Sequence, residues 1–190
     1  MSKLIPVGVS NRHLHLSQED IYTLFGQGYE LKPLKDLSQP GQYAAEETVT
    51  LQGPKGSIEK VRVLGPARKQ TQVEISRTDS YVLGIKPPVR DSGALANSSP
   101  ITIIGPKGKV ELKEGAILAQ RHIHMHTTDA EELGLIDKQL VQVEADGERG
   151  VIFKNVLVRV HESFALEFHI DTDEANAAGL ANGDKVKIVG

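Results

Sequence analysis

The tetrapeptide Arg-His-Leu-His at 12–15 returns as Arg-His-Ile-His at 121–124. In an extended strand, residues two apart leave the same face, roughly 6 to 7 Å from one another, so each pair aims two imidazoles at one point. On a helix the two would not face each other. The repeat therefore asks for strands, and for a β-rich fold with two similar parts. One His-x-His is ordinarily a pair of surface or hydrogen-bonded histidines. Two copies in one chain shift the balance towards a metal site.

Composition narrows the donors. The 190 residues include no cysteine, which removes disulfides, thiolate ligands and a cysteine nucleophile together. Any metal must use His, Asp, Glu and water, a set that suits zinc, cobalt, manganese or iron, with imidazole-rich sites leaning to zinc. A formal charge of -3 and 4% aromatic residues argue against a nucleic-acid partner. The longest apolar stretches, such as Ala116 to Ala119, are far too short to span a bilayer, and residues 1–9 lack the regions of a secretory signal. The expectation is a cytoplasmic chain with no membrane partner, free to form a homo-oligomer.

Short β-rich segments dominate: 48–51, 61–64, 72–75, 101–104, 141–144, 156–160, 165–170 and 185–189. Turn signals separate them, notably Gly-Pro-Lys-Gly at 53–56 and again at 105–108, Asp146-Gly147 and Asn182-Gly183-Asp184. This is the punctuation of barrels or sandwiches.

A further repeat selects ligands from among many acids and histidines. After His124 comes a helix-starting stretch, with Thr128 and Glu131 spaced as a capping box, that stops at Gly134. His169 is followed by Asp171 to Glu174 and Gly179, and the two segments stay in step at an offset of 45 residues, Val141 with Val186 and Val143 with Ile188. His15 precedes Ser17 to Asp20, another capping-box pattern, and Gly26; Glu74 precedes Ser76 to Asp79 and Gly84. The helix-ending glycine falls 11 residues after His15 and 10 after Glu74, His124 and His169. That register singles out Glu74 and His169. It predicts four related units, each a strand with a ligand, a short capped helix, a glycine and another strand.

The expected fold is mainly β: two small β-barrel domains with short capping helices, and the active site at their interface, a common place for small-molecule sites. The expected domains are 12–119, and 1–11 plus 120–190 with the N-terminal strand pairing with the C-terminal half. Six donors exceed what one tetrahedral ion needs, while two ions with three ligands each keep positions open for water or substrate. The natural division is His13, His15 and Glu74 on one metal and His122, His124 and His169 on the other; bridging or exchange of ligands stays open. His126 falls where the capping residues of its helix begin, and His161 adjoins a turn at Glu162-Ser163.

Lys35, Arg62, Arg68, Lys69, Arg90 and Arg159 lie near these motifs and could bind a small anion or be ordinary solvated charge. Arg68, six residues before Glu74, could clamp a phosphate with two bonds from its planar guanidinium, or form a salt bridge.

At Val9 to Ser17, Gly65 to Arg68 and on to Glu74, Arg121 to Met125 and His169 to Asn176, the chain resembles the PduL-type phosphate acyltransferases, also called phosphate propanoyltransferases. The resemblance covers essentially the whole chain. It implies reversible transfer of a short acyl group, propanoyl or acetyl, between coenzyme A and inorganic phosphate, on a two-barrel fold with two divalent ions, zinc by preference. By the same resemblance His122, His124 and His169 hold a metal near the coenzyme A sulfur, and His13, His15 and Glu74 hold one nearer phosphate. Arg68 matches the family's phosphate-binding arginine and carries catalysis, with Gln42, Gln72 and Arg159 also around the anion. Ser10, Lys35, Arg62, Leu64 and Asn176 match positions associated with coenzyme A. Members that enter bacterial microcompartments carry an N-terminal amphipathic extension, and its absence here makes that lumen the less expected location. The rival readings are a dinuclear hydrolase of an ester or phosphoester and a metal-stabilised structural module. Both leave the coenzyme A positions without a role.

Overall fold

The computed structural model describes residues 3–189. Among them, in chain order, are β1 (Ile5–Ser10), β2 (His13–Ser17), α1 (Gln18–Phe25), β3 (Pro33–Asp36), β4 (Tyr43–Gln52), β5 (Ser57–Arg68), β6 (Gln72–Glu74) and α2 (Arg77–Leu83). There follow β7 (Val89–Arg90), β8 (Ser99–Ile104), β9 (Lys109–Ala119), β10 (His122–Met125), α3 (Thr127–Leu133), β11 (Leu140–Ala145), β12 (Val151–Val160), β13 (Glu167–Asp171), α4 (Thr172–Ala178) and β14 (Lys185–Ile188). The fold is mainly β, as expected. The eight anticipated strands are all present, with ends that differ by a few residues or, in β4, β5 and β12, by most of a further strand's length. β9 carries no continuous strand pattern in the sequence, because its first half alternates and its second half, from Gly115 to Leu118, is buried without alternation.

The chain divides into two compact units, one of residues 3–10, 38–40 and 120–189, the other of 11–37 and 41–119. In the first unit six strands close a barrel in the order β1-β13-β10-β12-β11-β14. The N-terminal strand completes it, parallel to β13 and antiparallel to β14.

The second unit also closes six strands, β4-β5-β2-β6-β9-β8, because β8 pairs with both β4 and β9. The two barrels share one pairing scheme. In each, the strand with the histidine pair is antiparallel to the strand with the third ligand and parallel to the strand on its other side. By this scheme β1 occupies the place in its barrel that β9 occupies in the other.

Alternation places a core under each motif. Leu14, Leu16, Ile123 and Met125 are fully buried and belong to the two apolar clusters, while His13, His15, His122 and His124 leave from the opposite face. Both faces of these strands are covered, since the four histidines are also buried.

All four expected helices form, each ending at its predicted glycine. Gly84, Gly134 and Gly179 adopt the left-handed conformation that ends a helix at low cost for glycine. The extra residue in the first spacing is a longer helix, eight residues in α1 against seven in the others. Full capping boxes occur at Ser76/Asp79 and Asp171/Glu174. The other two caps differ from expectation. In α1, Ser17 Oγ accepts from Asp20, but the Asp20 carboxylate takes the Thr71 hydroxyl, whose oxygen accepts the Ser17 N–H; Thr71 completes the box as a relay. In α3 the N-cap is His126 rather than Thr128, with Nδ1 accepting from the Thr128 N–H at 3.2 Å. An imidazole lone pair serves there as a hydroxyl oxygen would.

The arginine of each Arg-His-x-His motif ties this helix grammar to the ligand strands. Arg12 Nη2 lies 2.8 Å from Asp79 of α2, and Arg121 Nε lies 3.3 Å from Glu174 of α4. Both acids are the third-position residues of capping boxes. The arginines thus anchor the helix that follows the third ligand, and their recurrence is structural.

Two consequences can be measured by denaturant unfolding. Leu14→Ala and Ile123→Ala should each cost about 2–5 kcal/mol, because each leaves a cavity beneath a histidine pair; a loss under about 0.5 kcal/mol would contradict this packing. Arg12→Ala strands the buried Asp79, although the 38% exposure of the Arg12 side chain limits the cost to about 1–3 kcal/mol. Asp79→Asn should recover part of that loss, a coupling that additive single mutants would refute.

Candidate metal centres

Register assembles the second unit's centre. Across the antiparallel β2–β6 pair His13 faces Glu74 and His15 faces Gln72; across the parallel β2–β5 pair they face Arg62 and Leu64. Glu74 Oε2 lies 3.5 Å from His13 Nε2, and Oε1 lies 4.0 Å from His15 Nε2. The rings of His13 and His15 stand edge to face with centroids 5.3 Å apart.

The first unit repeats the arrangement. Across β10–β13 His122 faces His169 and His124 faces Glu167; across β10–β12 they face Leu157 and Arg159. Ring centroids are 4.6 Å apart for His122 and His124, 5.1 Å for His122 and His169, and 4.7 Å for His124 and His169. In each trio one donor atom per residue lies within 4.8 Å of the other two.

The donor chemistry fits a divalent ion. His13 Nδ1 bonds the Asn11 carbonyl at 2.8 Å, and His122 Nδ1 bonds the Gln120 carbonyl at the same distance. A carbonyl only accepts, so Nδ1 carries the proton and Nε2 keeps the lone pair a metal requires. Burial drives His15 down to about 3, helped by the charges of His13 and Arg68, which leaves that imidazole neutral. Burial opposes charge on Glu74, but His13, His15 and Arg68 outweigh it and hold the carboxyl far below its ordinary range. An ionised carboxylate beside the neutral His15 in a buried pocket calls for a cation. Burial alone would lower His13; the charge of its Glu74 partner and the bond to it raise it instead.

Around Glu74 the polar groups form a chain. Gln72 Nε2 donates to Glu74 Oε1 at 2.6 Å and to Ser92 Oγ at 2.8 Å, while its Oε1 accepts from the Gly93 N–H at 2.7 Å. Gln72 is thus buried and engaged at both ends of its amide, positioning Glu74. Arg68 Nη1 donates to Ser92 Oγ at 3.2 Å. Ser92 joins the arginine, the amide and the carboxylate; it lies 18 residues beyond Glu74 in a loop, so no spacing in the sequence marked it.

The remaining anticipated residues are more scattered. Arg62 donates to the Ala45 and Glu46 carbonyls at 3.0 and 2.8 Å. Leu64 is half-buried opposite His15, Lys35 is exposed on β3, and Gln42 is half-buried at the turn before β4. In the first unit Arg159 stands over the Phe164 ring at 5.7 Å, and that ring meets His124 edge-on at 4.5 Å. Ser10 ends β1 opposite Asp171, and Asn176 is exposed on α4. His161 is a turn residue whose Nδ1 accepts from the Ser163 N–H.

Comparison with known proteins follows the same lines. The family model for phosphate propanoyltransferases matches residues 6–181. A phosphate propanoyltransferase of Thermotoga maritima is 64% identical over 186 residues, 97% of this chain and 89% of that protein. One of Priestia megaterium is 58% identical, covering 96% of this chain and 84% of the relative. One of Salmonella typhimurium is 54% identical, covering 94% and 85%. With both ligand trios inside the matched span, the chain belongs to the phosphate propanoyltransferase family, and is an acyltransferase.

Proposed function

We propose that this chain reversibly transfers a short acyl group, propanoyl or acetyl, between coenzyme A and inorganic phosphate, with a divalent ion, zinc by preference, at each trio. The observation that carries the reading is the placement of Arg68 beside an ionised Glu74 and neutral His15, within a span matched by the family. The two compact units serve as its domains.

A phosphate oxygen attacks the thioester carbonyl, a C–O bond forms, the C–S bond breaks, and the electron pair leaves on sulfur as the thiolate of coenzyme A. Arg68 binds and orients phosphate through two parallel N–H donors, with Ser92 accepting a bond from its guanidinium. Gln72 holds Glu74 in its ligating position, and Gln42 and Arg159 are further anion contacts in this reading. Ser10, Lys35, Arg62, Leu64 and Asn176 contact coenzyme A. A bound divalent ion supplies positive charge that stabilises the negative charge developing in the reaction. No acyl-enzyme is required, since the chain has no cysteine and phosphate is itself the nucleophile.

Thiol release from a panel of acyl-CoAs, with metal content measured on the same sample, tests this. His124→Ala and Glu74→Ala should abolish release that depends on phosphate, and chelator-stripped protein should lose activity and regain it with zinc. Full activity in metal-free protein overturns the metal role; equal release in phosphate-free buffer indicates hydrolysis instead. Arg68→Ala should raise the KM for phosphate at least tenfold and leave the KM for acyl-CoA nearly unchanged. Equal rises in both would remove Arg68 from the phosphate site.

A further inference from the structure

Three of the four phenylalanines, Phe25, Phe153 and Phe168, are buried in the two apolar cores; Phe164 belongs to neither. It is half-buried in the loop between β12 and β13, and its ring meets His124 of the first unit's trio edge-on, with centroids 4.5 Å apart. The Arg159 guanidinium stands over the same ring at 5.7 Å. Leu157, buried and also outside both clusters, faces His122 across the parallel β10–β12 pair. Each histidine of the His122–His124 pair therefore has an apolar neighbour that no core claims.

The loop that carries Phe164 is pinned on both sides of it. The His161 N–H donates to the carbonyl of Met125, where β10 ends, at 3.1 Å, and the Phe164 N–H closes a turn onto the His161 carbonyl at 3.1 Å. Gln39, itself buried, clasps the Ala165 backbone, donating to its carbonyl at 3.0 Å and accepting from its N–H at 3.2 Å. A half-buried ring on a backbone held this way presents a preformed apolar surface.

The second unit has a span of the same length with different chemistry. Ten residues lead from the residue facing the second histidine to the third ligand in both, Leu64 to Glu74 and Arg159 to His169. In that register Lys69 stands where Phe164 does, next to Arg68, and Arg62 faces His13 where Leu157 faces His122. One exchange runs the other way, Arg159 for Leu64, and that arginine is laid over the phenylalanine ring. The span that ends at Glu74 thus offers cations, which suit a phosphate; the span that ends at His169 offers an aromatic ring, which suits a hydrocarbon chain.

We propose that Phe164 is a specificity-determining residue: with Leu157 it forms the apolar wall against which the acyl chain of the thioester lies, and its ring sets the chain length admitted. The inference rests on acyl transfer with the thioester at the all-histidine trio. An acetyl or propanoyl group carries only one or two apolar carbons beyond its carbonyl, so the reach of a single ring decides whether the next carbon fits. A methylene admitted or refused by an apolar pocket changes kcat/KM by about 10–200-fold.

Phosphate-dependent thiol release by the full-length protein from acetyl-, propanoyl-, butanoyl- and hexanoyl-CoA tests this. Phe164→Ala should raise the ratio of kcat/KM for butanoyl-CoA to that for acetyl-CoA about tenfold or more, and Phe164→Trp should lower the ratio for propanoyl-CoA to acetyl-CoA. Phe164→Leu, which keeps an apolar side chain, should hold the wild-type order of preference. The KM for phosphate should stay near its wild-type value in all three. Dissociation constants for butanoyl-CoA, measured by calorimetry in phosphate-free buffer, should be smallest in Phe164→Ala and largest in Phe164→Trp. Equal losses at every chain length would make Phe164 a packing residue only, and an unchanged profile would remove it from the acyl site; either result overturns the proposal. If Phe164→Ala does not fold, the tryptophan variant decides alone. Wild-type protein that releases thiol from none of these substrates in the presence of phosphate overturns instead the acyl-transfer reading beneath.

Discussion

The period of the β-strand is the constraint on which both centres depend. In His-Leu-His-Leu at 13–16 and His-Ile-His-Met at 122–125 the apolar residues go to a barrel core and the imidazoles to the opposite face. A slip of one residue would exchange the two sets, burying imidazoles in an apolar interior and exposing Leu or Ile. The energy that packs each core therefore also sets the direction of the ligands. Antiparallel pairing with a second strand then brings the third donor opposite the first histidine, Glu74 in one barrel and His169 in the other.

The common scaffold carries chemically different centres. One trio contains a carboxylate and the other is all imidazole. The neighbouring positions follow suit: Gln72 donates to Glu74 where Glu167 lies 2.6 Å from His169 Nε2, and Leu64 faces His15 where Arg159 faces His124. What is shared is backbone geometry, down to the carbonyl two residues before the first histidine, which bonds its Nδ1 in both barrels. A backbone acceptor places no demand on residue type, so Asn11 and Gln120 do the same work without resembling each other.

Local chemistry was the readable part. Helix positions followed from cap residues and terminal glycines, because those interactions span three or four residues and leave a pattern in the chain. The exceptions are where distant groups intervene: Thr71 enters the cap of α1 from 51 residues away, and the hydrogen bonds that fix Glu167 come from Ser38 and Gln39, 129 and 128 residues away. Strand β9 is hidden in the sequence for a related reason, since a segment buried on both faces loses the alternation by which strands are recognised.

From the sequence alone came the two histidine pairs, the addition of Glu74 and His169 through the glycine register, a mainly β fold and the family resemblance. All of these depend on short-range periodicity or on residue identity. Tertiary structure decided the rest: the strand order in each barrel, that Arg12 and Arg121 anchor helices, that Gln72 spends its amide on Glu74 and Ser92, and that Glu167 meets His169. These are pairings between residues far apart in the chain, and which partner a side chain finds is set by strand register and closure, which no local pattern encodes.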